Sequence, residues 1–386
     1  MTMTSQADDI EPFRAIEVSQ LAQKMRARGD SIIHMEFGQP SEGAPQGALD
    51  AAHGAMSGGD MGYWESTPLR ERIARHYGEQ YGVDVAPQQI ILTCGASPAL
   101  VLSLLTAFSA GSRVMTARPG YVAYRNSLRA LHMTPVEVPC SAADRFQINA
   151  RHIRDAAVTP DGLIVASPAN PTGTIIPPAE LAEIAAVCRE RNIQIISDEI
   201  YHRLSYGIET QSMLNHDPDA FVINSFSKYY GMPGWRLGWL ICPQKFVGAA
   251  RARAGNLFLS PPALSQHAAL AAFDCTEELD ARVEVYRQNR ALLIDALSQL
   301  GITGIAPSDG AFYVYASIAH LTDDSVTFCK KLLAETGVAT APGIDFDPDN
   351  GHQFIRFSYA VTTEMTAEAC KRLIKWLPQQ PLQMIG

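Results

Sequence analysis

The run Ser225-Phe226-Ser227-Lys228 is followed eight residues later by Arg236. A solitary lysine is ordinarily a solvated surface group. Flanked by hydroxyls and trailed by an arginine, it can supply an amine nucleophile beside an anion site. Upstream, Asp198 closes an apolar run and precedes Glu199-Ile200-Tyr201. A carboxylate at the end of a strand buried on both faces is costly unless a cation meets it, so Asp198 either caps the next helix or faces a cationic ligand. Ser167-Pro168-Ala169-Asn170-Pro171-Thr172-Gly173 forms a tight turn that presents the Asn170 amide. Cys94-Gly95-Ala96-Ser97 lies between an apolar run and a helical stretch, which places free N–H groups and a hydroxyl at a helix start. That arrangement suits an anion, although so short a run taken alone is more often a plain small-residue turn.

The elements that must carry these groups alternate. Strands are expected at 90–93, 113–116, 163–166, 193–198, 221–226 and 237–242, with helices at 99–108, 122–131 and 179–192. Most of the strands lack polar alternation, which fits burial on both faces in a largely parallel sheet between helices. Each chemical segment follows one of them, and in open α/β sheets ligands sit beyond the carboxyl ends of the strands. After a long helix at 276–300 the pattern changes to strands at 311–316, 338–341 and 354–358, read as a second, smaller lobe. A final helix at 367–377 places Cys370, Leu373, Ile374 and Leu377 on its packed face.

With 386 residues the chain has length for about two domains. At 47% hydrophobic and 18% charged, with 28 Gly and 24 Pro dispersed, it is neither disordered nor fibrous. The net charge is −9 and no run of Lys and Arg occurs, which argues against nucleic acid as a partner. The longest mostly apolar stretch, 98–110, is too short to span a bilayer. Residues 1–10 lack the basic segment and apolar core of a signal peptide, so a cytoplasmic protein is expected, with no membrane partner. The seven cysteines are odd in number, scattered and free of any C-x-x-C pair, which reads as buried reduced thiols with no metal site.

Asn170-Pro171-x-Gly173, Asp198-x-x-Tyr201 and Ser225-x-Ser227-Lys228 with Arg236 downstream, in this order and spacing, resemble the fold-type I pyridoxal-phosphate aminotransferases of class I/II. The resemblance covers nearly the whole chain. It begins at Gly38-Gln39-Pro40 and continues through Tyr63, Gly95-Ala96-Ser97 and Pro119-Gly120-Tyr121 to Gly310-Ala311-Phe312-Tyr313, Pro342-Gly343 and Arg356. The Ser-x-Ser-Lys segment with its arginine is the most specific part. The resemblance implies an α/β fold: a large domain with a mostly parallel seven-stranded sheet flanked by helices, plus a smaller α+β domain formed by both chain ends. Its divisions would be an arm and part of the small domain at 1–40, the large cofactor domain at 41–285 and the small domain at 286–386.

The same resemblance assigns roles. Lys228 would hold pyridoxal 5'-phosphate as a Schiff base and move the substrate's α-proton. Asp198 would keep the pyridine nitrogen protonated, and Tyr201 and Asn170 would bond the phenolic oxygen. The phosphate would rest on Gly95, Ala96 and Ser97 with Ser225, Ser227 and Arg236 nearby. Tyr121 would stack on the ring, and Tyr63 would reach the phosphate in the neighbouring subunit, which implies a homodimer with shared sites. Arg356 would hold the substrate α-carboxylate, with Asn170 and the Gly38 backbone alongside. The implied reaction moves the amino group of an α-amino acid to a 2-oxo acid, 2-oxoglutarate or pyruvate.

Some aspartate aminotransferases of this group carry a lysine where this chain has Ser97, and only Arg14 and Arg70 are positional candidates for a second carboxylate, so the sequence does not establish a dicarboxylic preference and leaves alanine, aromatic and aliphatic amino acids open as donors. A C–S β-lyase on the same scaffold is the alternative, because it begins with the same proton removal. A serine hydrolase elbow at Gly95-Ala96-Ser97-Pro98-Ala99 fails at Ala99, where glycine is required. A ligand-sensing regulator would need a DNA-binding region, for which no basic segment exists. The segment 11–18 is expected to close over the site, with Phe13 against the substrate.

Overall fold

Short aliphatic runs bounded by Gly, Pro and Ser make the strands, which in chain order are Ile33–His34 (β1), Ile90–Thr93 (β2), Arg113–Arg118 (β3), Thr134–Pro139 (β4), Gly162–Ala166 (β5), Gln194–Asp198 (β6), Phe221–Ser225 (β7), Gly238–Ile241 (β8), Tyr313–Ser317 (β9), Val338–Ala339 (β10), Ala341–Pro342 (β11) and Phe354–Ser358 (β12). The computed structural model describes residues 10–58 and 61–380, so the reading of the first nine residues lies outside the described residues. Seven strands form one sheet in the order β2-β8-β7-β6-β5-β3-β4. β4, β3, β5, β6 and β7 run parallel, and β8 is antiparallel to both of its neighbours. β2, β7 and β8 are wholly buried, and β5 and β6 are half-buried at one end only. That is the burial expected of strands covered on both faces by helices.

The strand at 134–139 escaped the sequence reading. It is a half-buried edge strand that pairs only with β3 and carries Pro135 and Pro139. Proline cannot donate to a ladder, so it survives at an edge and erases the strand signal there. The expected helices appear as Ala96–Ala107, Val122–Ala130, Pro178–Glu190 and Thr276–Gln299, within a few residues of the reading.

β11, β12 and β9 form an antiparallel sheet, and β1 runs parallel to β10. Residues near both ends of the chain therefore build the smaller α+β part. Three expectations there need correction. The single strand at 338–341 is two, broken at Thr340 and paired in different sheets. The strand at 311–316 starts at Tyr313, because Ala311 has a left-handed φ of +56° that an extended ladder does not accommodate. On the last helix, Thr363–Trp376, the buried arc runs through Thr366, Ala369, Cys370, Leu373 and Trp376, and Ile374 lies past its edge at 44% exposure.

All seven cysteines are free, but Cys94 and Cys275 are only half-buried, against the expectation of burial throughout. Among the described residues no helix is long and apolar enough to cross a membrane.

The N-terminal helix Arg14–Ala27 is held by a carboxylate from the far end of the chain: Asp345 accepts the Arg14 N–H on Oδ1 and the Ala15 N–H on Oδ2, both at 2.8 Å. The helix starts without a side-chain cap from Phe13, so Asp345 satisfies donors that would otherwise be orphaned. The preceding residues are clamped by Glu11, whose carboxylate receives Arg125 at 2.9 Å and Arg129 at 3.1 Å.

Candidate active site

The carboxyl ends of β2, β5, β6 and β7 open onto one cavity of about 750 Å³, a size suited to a small-molecule ligand. Among the described residues that line it, the cations are Lys228, Arg236 and Arg356 and the anion is Asp198. β6 ends on Asp198 and β7 on Ser225, so sheet register alone places the carboxylate and the amine at neighbouring strand ends.

Lys228 is half-buried on the cavity wall, and its Nζ donates to the Gly38 carbonyl. The ammonium lies 5.5 Å from the Tyr201 ring centroid and 5.9 Å from that of Phe312. Burial, reinforced by the positive charge of Arg356, brings its pKa down to about 8; Asp198 opposes the fall. A lysine so tuned is partly unprotonated near neutral pH, as a nucleophile must be. Asp198 is shifted upward, first by burial, against hydrogen bonds from Tyr124 and Ile200 and the charge of Lys228. No helix follows it within the next turn, so the capping alternative falls away.

The cup after β2 is built as its residues suggest. Gly95 has φ +104°, and a Cβ there would stand 2.5 Å from Arg236 Nη2. Glycine therefore lets the guanidinium close against the start of helix Ala96–Ala107. Arg236 is fixed by the Pro233 and Cys94 carbonyls, both at 3.0 Å. Ala96 and Ser97 occupy the first helical positions, whose N–H groups have no acceptor within the helix. Ser227 joins them on the wall. Together these are donors for a dianion.

On the opposite side Arg356, 2% exposed in β12, donates to Asn170 Oδ1 at 2.8 Å and to the Glu36 carbonyl. Its guanidinium lies 4.4 Å from the Tyr313 ring centroid and 4.8 Å from that of Phe346. Its Nε has no partner, although it is buried. A planar fork sandwiched between rings and held on two sides is preorganised for a carboxylate. The Gly38 loop packs so closely here that a Cβ on Gly38 would meet the Tyr313 hydroxyl at 1.7 Å. Tyr201 and Tyr313 bring their hydroxyls within 2.6 Å of one another.

The cavity thus gathers Lys228, Asp198, Tyr201, Tyr121, Asn170, Ala96, Ser97, Ser227, Arg236, Gly38 and Arg356. Ser225 is not on its wall: its hydroxyl is turned back to Leu237 O at 3.1 Å and Ser227 Oγ at 2.8 Å, so it supports the turn from beneath. Tyr63 is 87% exposed and lies in a separate groove with Cys94 and Ser260. Arg14 and Arg70 pair with Glu17 and Glu65 and do not line the cavity. Phe13 does, together with Ile16, Phe37 and Phe258. Sequence reasoning missed Tyr124, which donates to Asp198 Oδ2 at 2.7 Å, and gave Tyr313 no role. The only signal for Tyr124 was its place one helical turn after Tyr121.

Residues 32–373 match the model of aminotransferase class I and II. The valine–pyruvate aminotransferase of Mycobacterium tuberculosis is 44% identical over 379 residues, covering 96% of this chain and 97% of that protein. The (5-formylfuran-3-yl)methyl phosphate transaminase of Methanocaldococcus jannaschii is 33% identical, covering 96% and 98%. The crystal structure of an aminotransferase from Mycobacterium tuberculosis superposes with a TM-score of 0.96 at 43% identity, covering 98% of this chain and all of that one. Aspartate aminotransferase of Thermus thermophilus with maleate gives 0.89 at 28% identity, covering 97% and 99%. The chain belongs to the class I and II aminotransferases, with the fold-type I architecture of the aspartate aminotransferase-like structures. It is a transaminase, of a family that generally uses pyridoxal phosphate.

Proposed function

We propose that this chain is a pyridoxal-phosphate-dependent aminotransferase that takes the amino group of an α-amino acid with an uncharged, mainly apolar side chain and delivers it to a 2-oxo acid, with pyruvate favoured over 2-oxoglutarate. The observation that carries the reading is the amine of Lys228, its pKa brought down to about 8, in one cavity with Asp198, the Gly95–Arg236 cup and Arg356.

The donor set fits the cofactor. The cup offers helix-start N–H groups, the Ser97 and Ser227 hydroxyls and Arg236 to a phosphate, in a cradle that a Cβ at Gly95 would fill. Asp198 offers a buried carboxylate in need of a cation, and Asn170 and Tyr201 offer polar groups at the ring's edge. Bound pyridoxal phosphate supplies the electron sink that makes the α-proton of an amino acid removable. Lys228 Nζ would hold the cofactor and would carry that proton, a task suited to an amine with a pKa near 8. Arg356 and the Gly38 backbone, which line the same cavity, would orient the α-carboxylate, and Tyr121 would pack against the ring.

Phe13, Ile16, Phe37, Leu100, Val101 and Phe258 make most of the remaining wall, with Gln39 and Ser127 as its uncharged polar members. They suit an apolar side chain, and among the described residues this wall offers no cation to the distal carboxylate of 2-oxoglutarate, which it would desolvate. The name of the valine–pyruvate relative supports the same donor and acceptor. A homodimer with shared sites, in which Tyr63 serves the neighbour, is part of the proposal and is supported by the exposure of that ring. The arm at 1–40, large domain at 41–285 and small domain at 286–386 remain our division of the chain, supported by the pairing of β1 with β10. A cytoplasmic location is supported by the free cysteines.

The test is an absorption titration of the purified protein loaded with pyridoxal phosphate, adding single amino acids without a keto acid. Loss of the cofactor's visible band with valine-like donors, release of the matching keto acid and loss of the response in Lys228→Ala are expected. Release of ammonia and thiol from sulfur-bearing amino acids instead would select the lyase. A protein that develops no cofactor band ends the proposal.

A further inference from the structure

The carboxylate of Asp198 is held from two sides. Its Oδ1 accepts the Ile200 N–H at 3.1 Å, and its Oδ2 accepts the Tyr124 hydroxyl at 2.7 Å. Tyr124 is 6% exposed, borders the cavity and lies in the first turn of helix Val122–Ala130. Its ring meets that of Tyr121 edge-on, with centroids 5.6 Å apart and planes at 88°. The start of this helix therefore presents both the cavity-lining ring of Tyr121, its N-cap residue, and, in its first turn, the donor to Asp198. The other titratable groups facing Asp198 are Lys228 across the cavity, Glu199 beside it in the chain and Tyr121. The Tyr124 phenol is itself shifted well above its ordinary value, by burial first and then by the Asp198 charge, so it remains a donor through the working pH range.

We propose that Tyr124 is a positioning residue of the cofactor site: its hydrogen bond to Asp198 Oδ2 keeps that carboxylate ionised and aimed at the cationic edge of the bound ring. The inference rests on the reading of Asp198 given above. Burial favours the neutral acid, and a donor to the charged form opposes burial. Without that donor the proton shared by the ring nitrogen and Asp198 shifts towards the carboxylate. The ring then carries less positive charge and withdraws electrons from the α-carbon less strongly. Tyr124 touches neither the α-carbon nor its proton in this scheme. It acts through Asp198.

The experiment compares wild type, Tyr124→Phe and a protein with 3-fluorotyrosine placed at 124, which keeps the shape and strengthens the donor. Cofactor-free protein is titrated with pyridoxal phosphate across pH, and its thermal melting checks the fold. For Tyr124→Phe we expect cofactor affinity to fall about tenfold or more, the scale of one hydrogen bond to a charged group. The acid limb of the affinity profile moves to higher pH, because Asp198 takes up its proton sooner. With the loaded enzyme, kcat falls while KM for the amino donor stays within about twofold, since donation to Asp198 leaves Arg356 untouched. The fluorotyrosine protein moves the acid limb to lower pH. An unchanged affinity and profile in Tyr124→Phe, or a shift of both variants in the same direction, overturns the proposal, since packing alone has no such sign. If Tyr124→Phe does not fold, the direction of the fluorotyrosine shift decides. A wild-type chain that takes up no pyridoxal phosphate overturns the reading of the whole site along with it, an outcome distinct from a failure of Tyr124 alone.

Discussion

Replacing Lys228 by Met should make the cofactor-free protein more stable at pH 7 although it abolishes activity. Burial and the Arg356 charge bring the ammonium from its ordinary 10.5 to about 8, after the attraction of Asp198 has been counted. At about 1.4 kcal/mol per tenfold change in proton affinity, that is a folding penalty of ~3 kcal/mol on the charged form. Below pH 8 the folded and unfolded chains both hold the proton, and the whole penalty is present. Between about pH 8 and 10.5 the unfolded lysine keeps a proton that the folded one has released, so stability rises with pH and the penalty disappears. Met fills similar space without charge but leaves the Gly38 carbonyl without its donor, a loss of about 1 kcal/mol. The expected net gain at pH 7 is therefore about 2 kcal/mol, reversing to a loss of about 1 kcal/mol above pH 10.5. Urea unfolding of cofactor-free wild type and Lys228→Met at both pH values measures it. A Met variant that is equally or less stable at pH 7 would refute the reasoning, because it would mean that the buried ammonium is adequately solvated.

Arg356→Lys should lower kcat/KM by roughly 10- to 100-fold, chiefly through KM, because it removes one arm of the planar fork proposed to hold the substrate α-carboxylate; steady-state kinetics showing a fall in kcat with KM unmoved would contradict its assignment to substrate. Gly95→Ala must force a left-handed residue and push Arg236 from the cup, so cofactor affinity should drop about tenfold or more in a fluorescence titration, with the fold retained. Phe13→Ala removes part of the apolar wall, at roughly 1–3 kcal/mol per lost methylene contact, so donors with large apolar side chains should lose efficiency while alanine changes little. An unchanged donor profile would reject the role of Phe13.

The chemical inventory was legible along the chain because strand ends carry it. Asp198 and Lys228 follow runs of buried aliphatics whose lack of alternation announces a sandwiched parallel sheet, and in such a sheet neighbouring carboxyl ends converge whatever the loop details. The glycine before a helix start at Gly95 was visible locally, but its use as an anion cup rested on the family resemblance, since the run alone is more often a plain turn. Other features depended on contacts between segments far apart in sequence. Ser225 and Ser227 look alike in the motif, but pairing of β7 with β8 turns the first hydroxyl to Leu237 and leaves the second on the wall. Strand β4 was hidden by prolines that only its edge position tolerates. Asp345 caps a helix 330 residues upstream and so seats Phe13, while Tyr124 finds Asp198 across 74 residues. Sequence alone determined which groups were available and at which strand ends, because period and local turn chemistry are short-range. Which hydroxyl meets which carboxylate, and how far each proton affinity is shifted, was decided only by tertiary packing, because burial and hydrogen-bond geometry are properties of the assembled surfaces.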